Sequence, residues 1–268
     1  RLFLDKQGFR RRLRIYNYTD IHSTDLHQPK KIETEAENSM PLEGRHFSYR
    51  YPNAAGEVFA DLNFRMDGPG FHALFGPSGV GKTTLAKLLS GTIRGFDGAI
   101  AENGIRRVLY TYNLERLPGW SNVRAHFEEI APSAGRRVDE LIETFGIEAN
   151  VASRFHRLSL GQQNRANLIR YLLQDFDLLI MDESLANVDE LTREKIILKI
   201  KAMFPERGFL YISHNVAEVA KFCSQVLVLR SQSKTPQVVS VQGQDHREDA
   251  APDPSRLERA MLEIVHAA

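Results

Sequence analysis

Gly76-Pro77-Ser78-Gly79-Val80-Gly81-Lys82-Thr83 matches the phosphate-binding pattern G-x-x-x-x-G-K-[ST] at every specified position. Its glycines let several backbone N–H groups converge on one phosphate chain, and a following helix would add the partial positive charge of its N-terminus. In such a loop Lys82 reaches the β- and γ-phosphates and the Thr83 hydroxyl ligates Mg²⁺. A second reactive group stands at Leu178-Leu179-Ile180-Met181-Asp182-Glu183, an apolar run that ends in two carboxylates. Beside a phosphate loop, the acid at the end of the strand, Asp182, helps to hold Mg²⁺. Glu183, one residue on, is the candidate to accept a proton from an attacking water, provided it lies within hydrogen-bond reach.

These groups need a scaffold, and the surrounding sequence supplies its elements. Gly70–Phe75 reads as a short apolar strand into the loop, and Thr84–Leu89 as the helix leaving it. Candidate strands at Arg45–Tyr51 and Val58–Phe64 flank a Pro52-Asn53 turn; Gly95–Gly98 signals another turn, followed by a strand at Val108–Tyr112. Residues 122–155 are helical in tone and are expected to form a small lobe extending to about 160. The chain then alternates between helix and strand. Helices are expected over Gln162–Leu173, Glu190–Phe204 and Val216–Phe222, with strands over Leu178–Met181, Phe209–Ile212 and Val226–Leu229. Alternation of this kind predicts an α/β fold with a mainly parallel sheet. The organisation expected is an extension and linker over 1–41, a catalytic domain over 42–244, and a tail over 245–268 with a short helix from about Ser255 to Val265. Within the extension, Arg10–Arg14 is a basic cluster and Leu13–Tyr18 has strand alternation, while His22 and His27 have no metal-ligand spacing.

Composition narrows the function classes. At 268 residues, 42% of them hydrophobic, the chain has ample material for a core, and a formal net charge of +1 provides no overall field calling for nucleic acid. One cysteine, Cys223, precludes an internal disulfide and falls in an apolar pattern that predicts burial. No apolar run approaches the roughly 18 residues that span a bilayer, and the opening at Arg1 has no signal-peptide pattern and reads as a trimmed start. Action at a membrane would therefore run through partners.

Leu158-Ser159-Leu160-Gly161-Gln162-Gln163 resembles the L-S-G-G-Q-Q signature of the nucleotide-binding subunits of ATP-binding cassette proteins, with Leu160 in place of the first glycine. The order supports the resemblance: phosphate loop, signature, strand ending in Asp182-Glu183, Asn187-Val188-Asp189 like the family's D-loop, and His214 like its switch histidine. The resemblance covers roughly Leu42–Arg230 and implies a P-loop NTPase core with an antiparallel β subdomain and a helical lobe. It also implies that MgATP binds between two cassettes facing head to tail, with Lys82, Thr83, Thr84, Asp182, Glu183 and His214 acting in cis. Ser159, Gly161 and Gln162 would then act on the nucleotide of the opposite cassette, and Tyr51, or alternatively Tyr49, would stack on adenine. Asn113 stands where the family has the Q-loop glutamine, a Mg²⁺ and water contact, and Ser184 where many members have proline. The implied partners are a second cassette and transmembrane permease subunits, with peripheral association at the cytoplasmic face of the inner membrane. Leu117-Pro118-Gly119-Trp120 resembles the L-P-x-W tract of importers of nitrate, sulfonates and related oxyanions. The alternative is a soluble cassette ATPase acting on nucleic acid or ribosomes; such proteins usually carry two cassettes or a long coiled-coil insertion, and neither is in this sequence. A P-loop kinase or GTPase would need no signature.

Overall fold

Strands β6 (Leu178–Asp182) and β7 (Gly208–Ile212) are buried at every position, the pattern of a parallel sheet covered on both faces. The computed structural model describes residues 41–102, 104–113, 115, 119–248 and 251–268, all within one compact unit, Ala36–Ala268. The basic cluster, the Leu13–Tyr18 strand, His22 and His27 lie outside the described residues, as do Leu117 and Pro118.

The remaining elements are β1 (Leu42–Tyr49), β2 (Phe59–Met66), β3 (Gly70–Phe75), α1 (Lys82–Leu89), β4 (Asp97–Glu102), β5 (Val108–Tyr112), α2 (Val123–Ile130), α3 (Gly135–Thr144), α4 (Leu160–Leu172), α5 (Glu190–Met203), α6 (Val216–Phe222), β8 (Gln225–Leu229), β9 (Val238–Gln242) and α7 (Pro254–Ala267). They form a six-stranded sheet in the order β5-β6-β7-β3-β8-β9, parallel except for β9, and a three-stranded antiparallel sheet in the order β2-β1-β4. The α/β class with its separate antiparallel sheet is thus as expected.

Side-chain alternation along the central strands divides the core. Leu74, Leu178, Ile180, Leu210 and Ile212 pack with α1 and with Phe47, Phe59 and Leu62 of the antiparallel sheet. Their neighbours Ala73, Leu179, Met181, Phe209 and Tyr211 point to the opposite face, in one cluster with residues of α4, α5 and α6 and of α2 and α3. Asn122, Asp189, Asn215 and Asp253 cap α2, α5, α6 and α7 by accepting backbone N–H bonds, which explains where these helices start.

Several expectations need correction. Gly98 lies inside β4 and is no turn residue: its φ is +94°, and a Cβ there would come within 2.2 Å of the His46 carbonyl oxygen on β1. Helix α4 starts at Leu160, two residues before the expected start, because Ser159 and Gln162 form a reciprocal capping box. Strand β9 was not expected at all. At the start of the tail, Lys201 Nζ forms an ion pair with Asp245 Oδ1 at 2.7 Å and donates to the His246 carbonyl at 2.6 Å, and α7 buries Ala260 and Ile264.

Candidate nucleotide site

The register of the parallel sheet sets the site. Tyr112 pairs with Asp182, Asp182 with Ile212 and Leu74 with Ile212, so the carboxyl ends of β5, β6, β7 and β3 are level. Loops leaving these ends carry Asn113, Glu183, His214 and the 76–81 turn, at the edge where open α/β sheets bind ligands.

At the phosphate loop, Gly76 has φ +150°, and a Cβ on it would meet the Leu229 carbonyl oxygen at 2.1 Å, so no other residue fits. The loop runs through Pro77, Ser78, Gly79 and Val80 to Gly81, which has φ +109° and precedes α1. Lys82 is buried and its Nζ donates to the carbonyls of Gly76 at 2.7 Å and Pro77 at 2.8 Å. Burial lowers its pKa below the ordinary lysine value, and the charges of Glu183 and Asp182 oppose that shift. Among the described residues, the ammonium's hydrogen bonds inside the loop go to backbone oxygens, with the Glu183 and Asp182 charges nearby. A phosphate entering there meets a cation already stripped of most of its water.

Thr83 Oγ1 donates to Asp182 Oδ2 at 2.8 Å, and Tyr110 Oη donates to the same oxygen at 2.9 Å. Burial and then the charge of Asp182 push the Tyr110 phenol well above its ordinary value, so it remains a donor. Glu183 has φ +52°, a left-handed conformation costing on the order of 1 kcal/mol or more for a non-glycine residue, which turns it out of the strand line. There its Oε1 lies 2.6 Å from His214 Nε2. Ser184 is buried and donates to the Thr111 carbonyl at 3.3 Å.

Of the two tyrosines weighed for base stacking, Tyr49 is buried, while Tyr51 is 39% exposed and bonds to Thr84 Oγ1 at 3.0 Å. An aromatic face is thereby fastened to the residue after Thr83. Asn113 is placed differently from expectation. Its backbone N–H donates to the Asp182 carbonyl, but its Oδ1 accepts from Asn164 Nδ2 at 2.8 Å and Asn187 Nδ2 at 3.2 Å. Both lone pairs of that oxygen are engaged, so it is not free to ligate a metal in this arrangement.

The signature forms a separate surface. Ser159 Oγ accepts from the Gln162 N–H at 3.3 Å and Gln162 Oε1 accepts from the Ser159 N–H at 2.9 Å. Among the described residues, no hydrogen bond joins Ser159, Gly161 or Gln162 to the phosphate loop. Gly161 instead meets the following turn: a Cβ on it would lie 2.3 Å from the Asn187 carbonyl oxygen. Leu160, the departure from the signature, is exposed. Sequence reasoning missed Tyr110 and Asn164 as participants, which read alone as an ordinary strand and helix residue; Asn187 was singled out with the D-loop-like turn, but its bond to Asn113 was not expected.

The profile of the ABC transporter family matches residues 59–186. Residues 59–186 carry a domain of the ATP-binding cassette family. Similar proteins include the molybdenum import ATP-binding protein ModC 2 of Bradyrhizobium diazoefficiens, 33% identical over 71% of this chain and 23% of that protein. The ModC of Brucella abortus is 33% identical over 70% of this chain and 57% of its own length. The taurine import ATP-binding protein TauB of Ruegeria pomeroyi is 29% identical over 72% of this chain and 78% of its own. The matched part of the chain thus spans less than a quarter of one of those ModC relatives and a little over half of the other. The structure of a bacterial Atm1-family ABC exporter with ATP bound has the same fold, with a TM-score of 0.64 and 21% identity over 72% of this chain and 37% of that one. No described helix is long and apolar enough to cross a membrane.

Proposed function

We propose that the chain is the ATP-hydrolysing subunit of a membrane transporter, working as a head-to-tail pair of cassettes on separate transmembrane subunits. The observation that carries this reading is the pair of contacts at the level strand ends: Thr83 to Asp182 beside the phosphate loop, and Glu183 to His214 beside them. The phosphate loop and Lys82 bind the triphosphate, and Tyr51 offers its ring face to the base. Thr83 and Asp182 are hard oxygen donors that suit Mg²⁺, which takes few protein ligands when phosphate oxygens complete its shell. Bound there, Mg²⁺ would neutralise charge on the phosphate oxygens. Glu183 accepts the proton of the attacking water, and His214 holds the Glu183 carboxylate toward the phosphate edge. Ser159, Gly161 and Gln162 serve the nucleotide of the opposite cassette, the role that the resemblance of their motif to the family signature implies. ATP binding draws the pair together and hydrolysis releases it, through differential affinity for closed and open states.

The importer branch is supported by the relatives named for molybdenum and taurine import and by the Leu117–Trp120 tract, whose Trp120 is 76% exposed. Small oxyanions are the transported class we assign, and peripheral placement at the cytoplasmic face of the inner membrane follows from docking on permease subunits. Glu183→Gln tests the chemistry: it should leave MgATP binding intact and slow hydrolysis at least about 100-fold, the scale of a positioned proton acceptor. A near wild-type rate would remove Glu183 from the reaction. Permease subunits co-purifying from native membranes would support the transport reading; ribosomal or DNA-repair partners would replace it with the soluble class.

A further inference from the structure

Behind His214 lies a buried polar cluster that none of the sequence motifs includes. Its centre is Glu218, in the first turn of α6 and only 7% exposed. Glu218 Oε1 accepts from Tyr211 Oη at 3.0 Å, and Oε2 accepts from Ser213 Oγ at 3.0 Å and from Arg193 Nη1 at 3.3 Å. A buried carboxylate is tolerated only when paired and hydrogen-bonded in this way. The two residues flanking His214 are both drawn into the cluster. Ser213 gives its hydroxyl to Glu218 and accepts the Asn215 N–H at 3.2 Å, while Asn215 Oδ1 accepts the Glu218 N–H at 3.2 Å. The histidine therefore projects from a turn pinned on one side to the Glu218 carboxylate and on the other to the Glu218 backbone N–H.

Arg193 carries the cluster to a second functional segment. Its Nη2 donates at 2.8 Å to the Val188 carbonyl, in the 187–189 turn whose Asn187 carbonyl abuts Gly161 of the signature. A continuous path of packed and bonded groups runs from Gly161 through Asn187, Val188, Arg193, Glu218 and Ser213 to His214, and so to Glu183. One end serves the nucleotide of the opposite cassette and the other end serves the chain's own.

We propose that Glu218 and Arg193 are positioning residues for His214, and that their ion pair transmits the placement of the 187–189 turn to the His214–Glu183 contact. The proposal rests on the hydrolytic reading above, and the experiment separates the two. Single variants Glu218→Gln and His214→Ala and their combination are compared for kcat, KM for ATP, and ATP binding by the isolated chain. Glu218→Gln keeps an acceptor oxygen for one of the two hydroxyls and no longer holds the guanidinium by charge. It should lower kcat about 10-fold, within the range that small misplacements cost, with KM and binding changed less than about twofold. In the His214→Ala background it should cost nothing further, because a residue acting through His214 has nothing left to position. Independent, multiplying losses would overturn the proposal while leaving Glu183 and His214 in place, and so would an unchanged kcat. A wild-type rate for His214→Ala alone would overturn the dyad and this proposal together. If Glu218→Gln does not fold, Ser213→Ala decides: it keeps the ion pair, and a kcat lowered about threefold with unchanged KM supports the proposal, whereas wild-type kcat overturns it.

Discussion

Gly161 shows how much one hydrogen atom decides in this molecule. It does not need an unusual φ; it needs the absence of a side chain, because a Cβ would stand 2.3 Å from the Asn187 carbonyl oxygen. Gly161→Ala must push the 187–189 turn away, an overpacking cost of about 1–3 kcal/mol. The affected turn lies between signature and Arg193, so hydrolysis by the paired cassettes should fall on the order of 10-fold, while ATP binding by the dispersed chain holds. Parallel ATPase and nucleotide-titration measurements check this, and equal losses in both would place Gly161 in cis. Residues of this kind were readable because their neighbours in sequence are also their partners in function: Gly76–Thr83 is one turn, and Asp182-Glu183 closes one strand. Glu218 and Arg193 were not readable. Each has the look of a solvated helix charge, and only the fold buries one against the other.

At the scale of elements, the loop after β5 ties itself to α4. Asn113 takes Asn164, and Glu115 accepts from Asn167 Nδ2 at 3.0 Å, from Arg170, and from Tyr171 Oη at 2.9 Å. The signature helix and the loop facing the expected membrane partner are thus one bonded assembly. Asn113→Ala leaves the amides of Asn164 and Asn187 without their shared acceptor, so the loop should lose its register on α4 while the phosphate loop is untouched. We expect partner-stimulated hydrolysis to drop several-fold more than ATP binding, by the scale of a lost, partly buried hydrogen-bond acceptor. Equal stimulation of wild type and Asn113→Ala by reconstituted permease subunits would sink the coupling role. The parallel strands were legible because burial on both faces writes a continuous apolar run. Strands β4 and β9 were not: β4 carries a glycine that mimics a turn, and β9 is a five-residue edge strand paired with β8 alone.

For the whole molecule, two buried histidines link stability to acidity. Burial lowers the pKa of His72 on β3, against opposing effects of the Gly68 carbonyl, Asp245 and Asp67. Burial, and then the charge of Arg170, lowers that of His126 on α2, with Glu129 opposing. A histidine depressed in the fold binds its proton more readily when unfolded, so its contribution is complete above the unfolded value of about 6.5 and is lost as pH falls from there toward the folded value. The melting temperature should therefore decline between about pH 7.5 and 5.5, and His126→Phe should flatten that decline. Melting curves that coincide across the range for the wild type would rule the linkage out.

The level strand ends also fix when the site comes into being. Val108–Tyr112, Leu178–Asp182, Gly208–Ile212 and Gly70–Phe75 are distant in the chain and adjacent in the sheet, and parallel neighbours cannot be brought together by a local hairpin. A pocket whose walls meet only through such non-local pairing closes late on the way to the native state. Nucleotide then has nothing to hold in the folding transition state and much to hold in the native one. Added MgATP should slow unfolding in denaturant and leave the refolding rate nearly unchanged, turning ligand into a brake on one limb of the chevron alone.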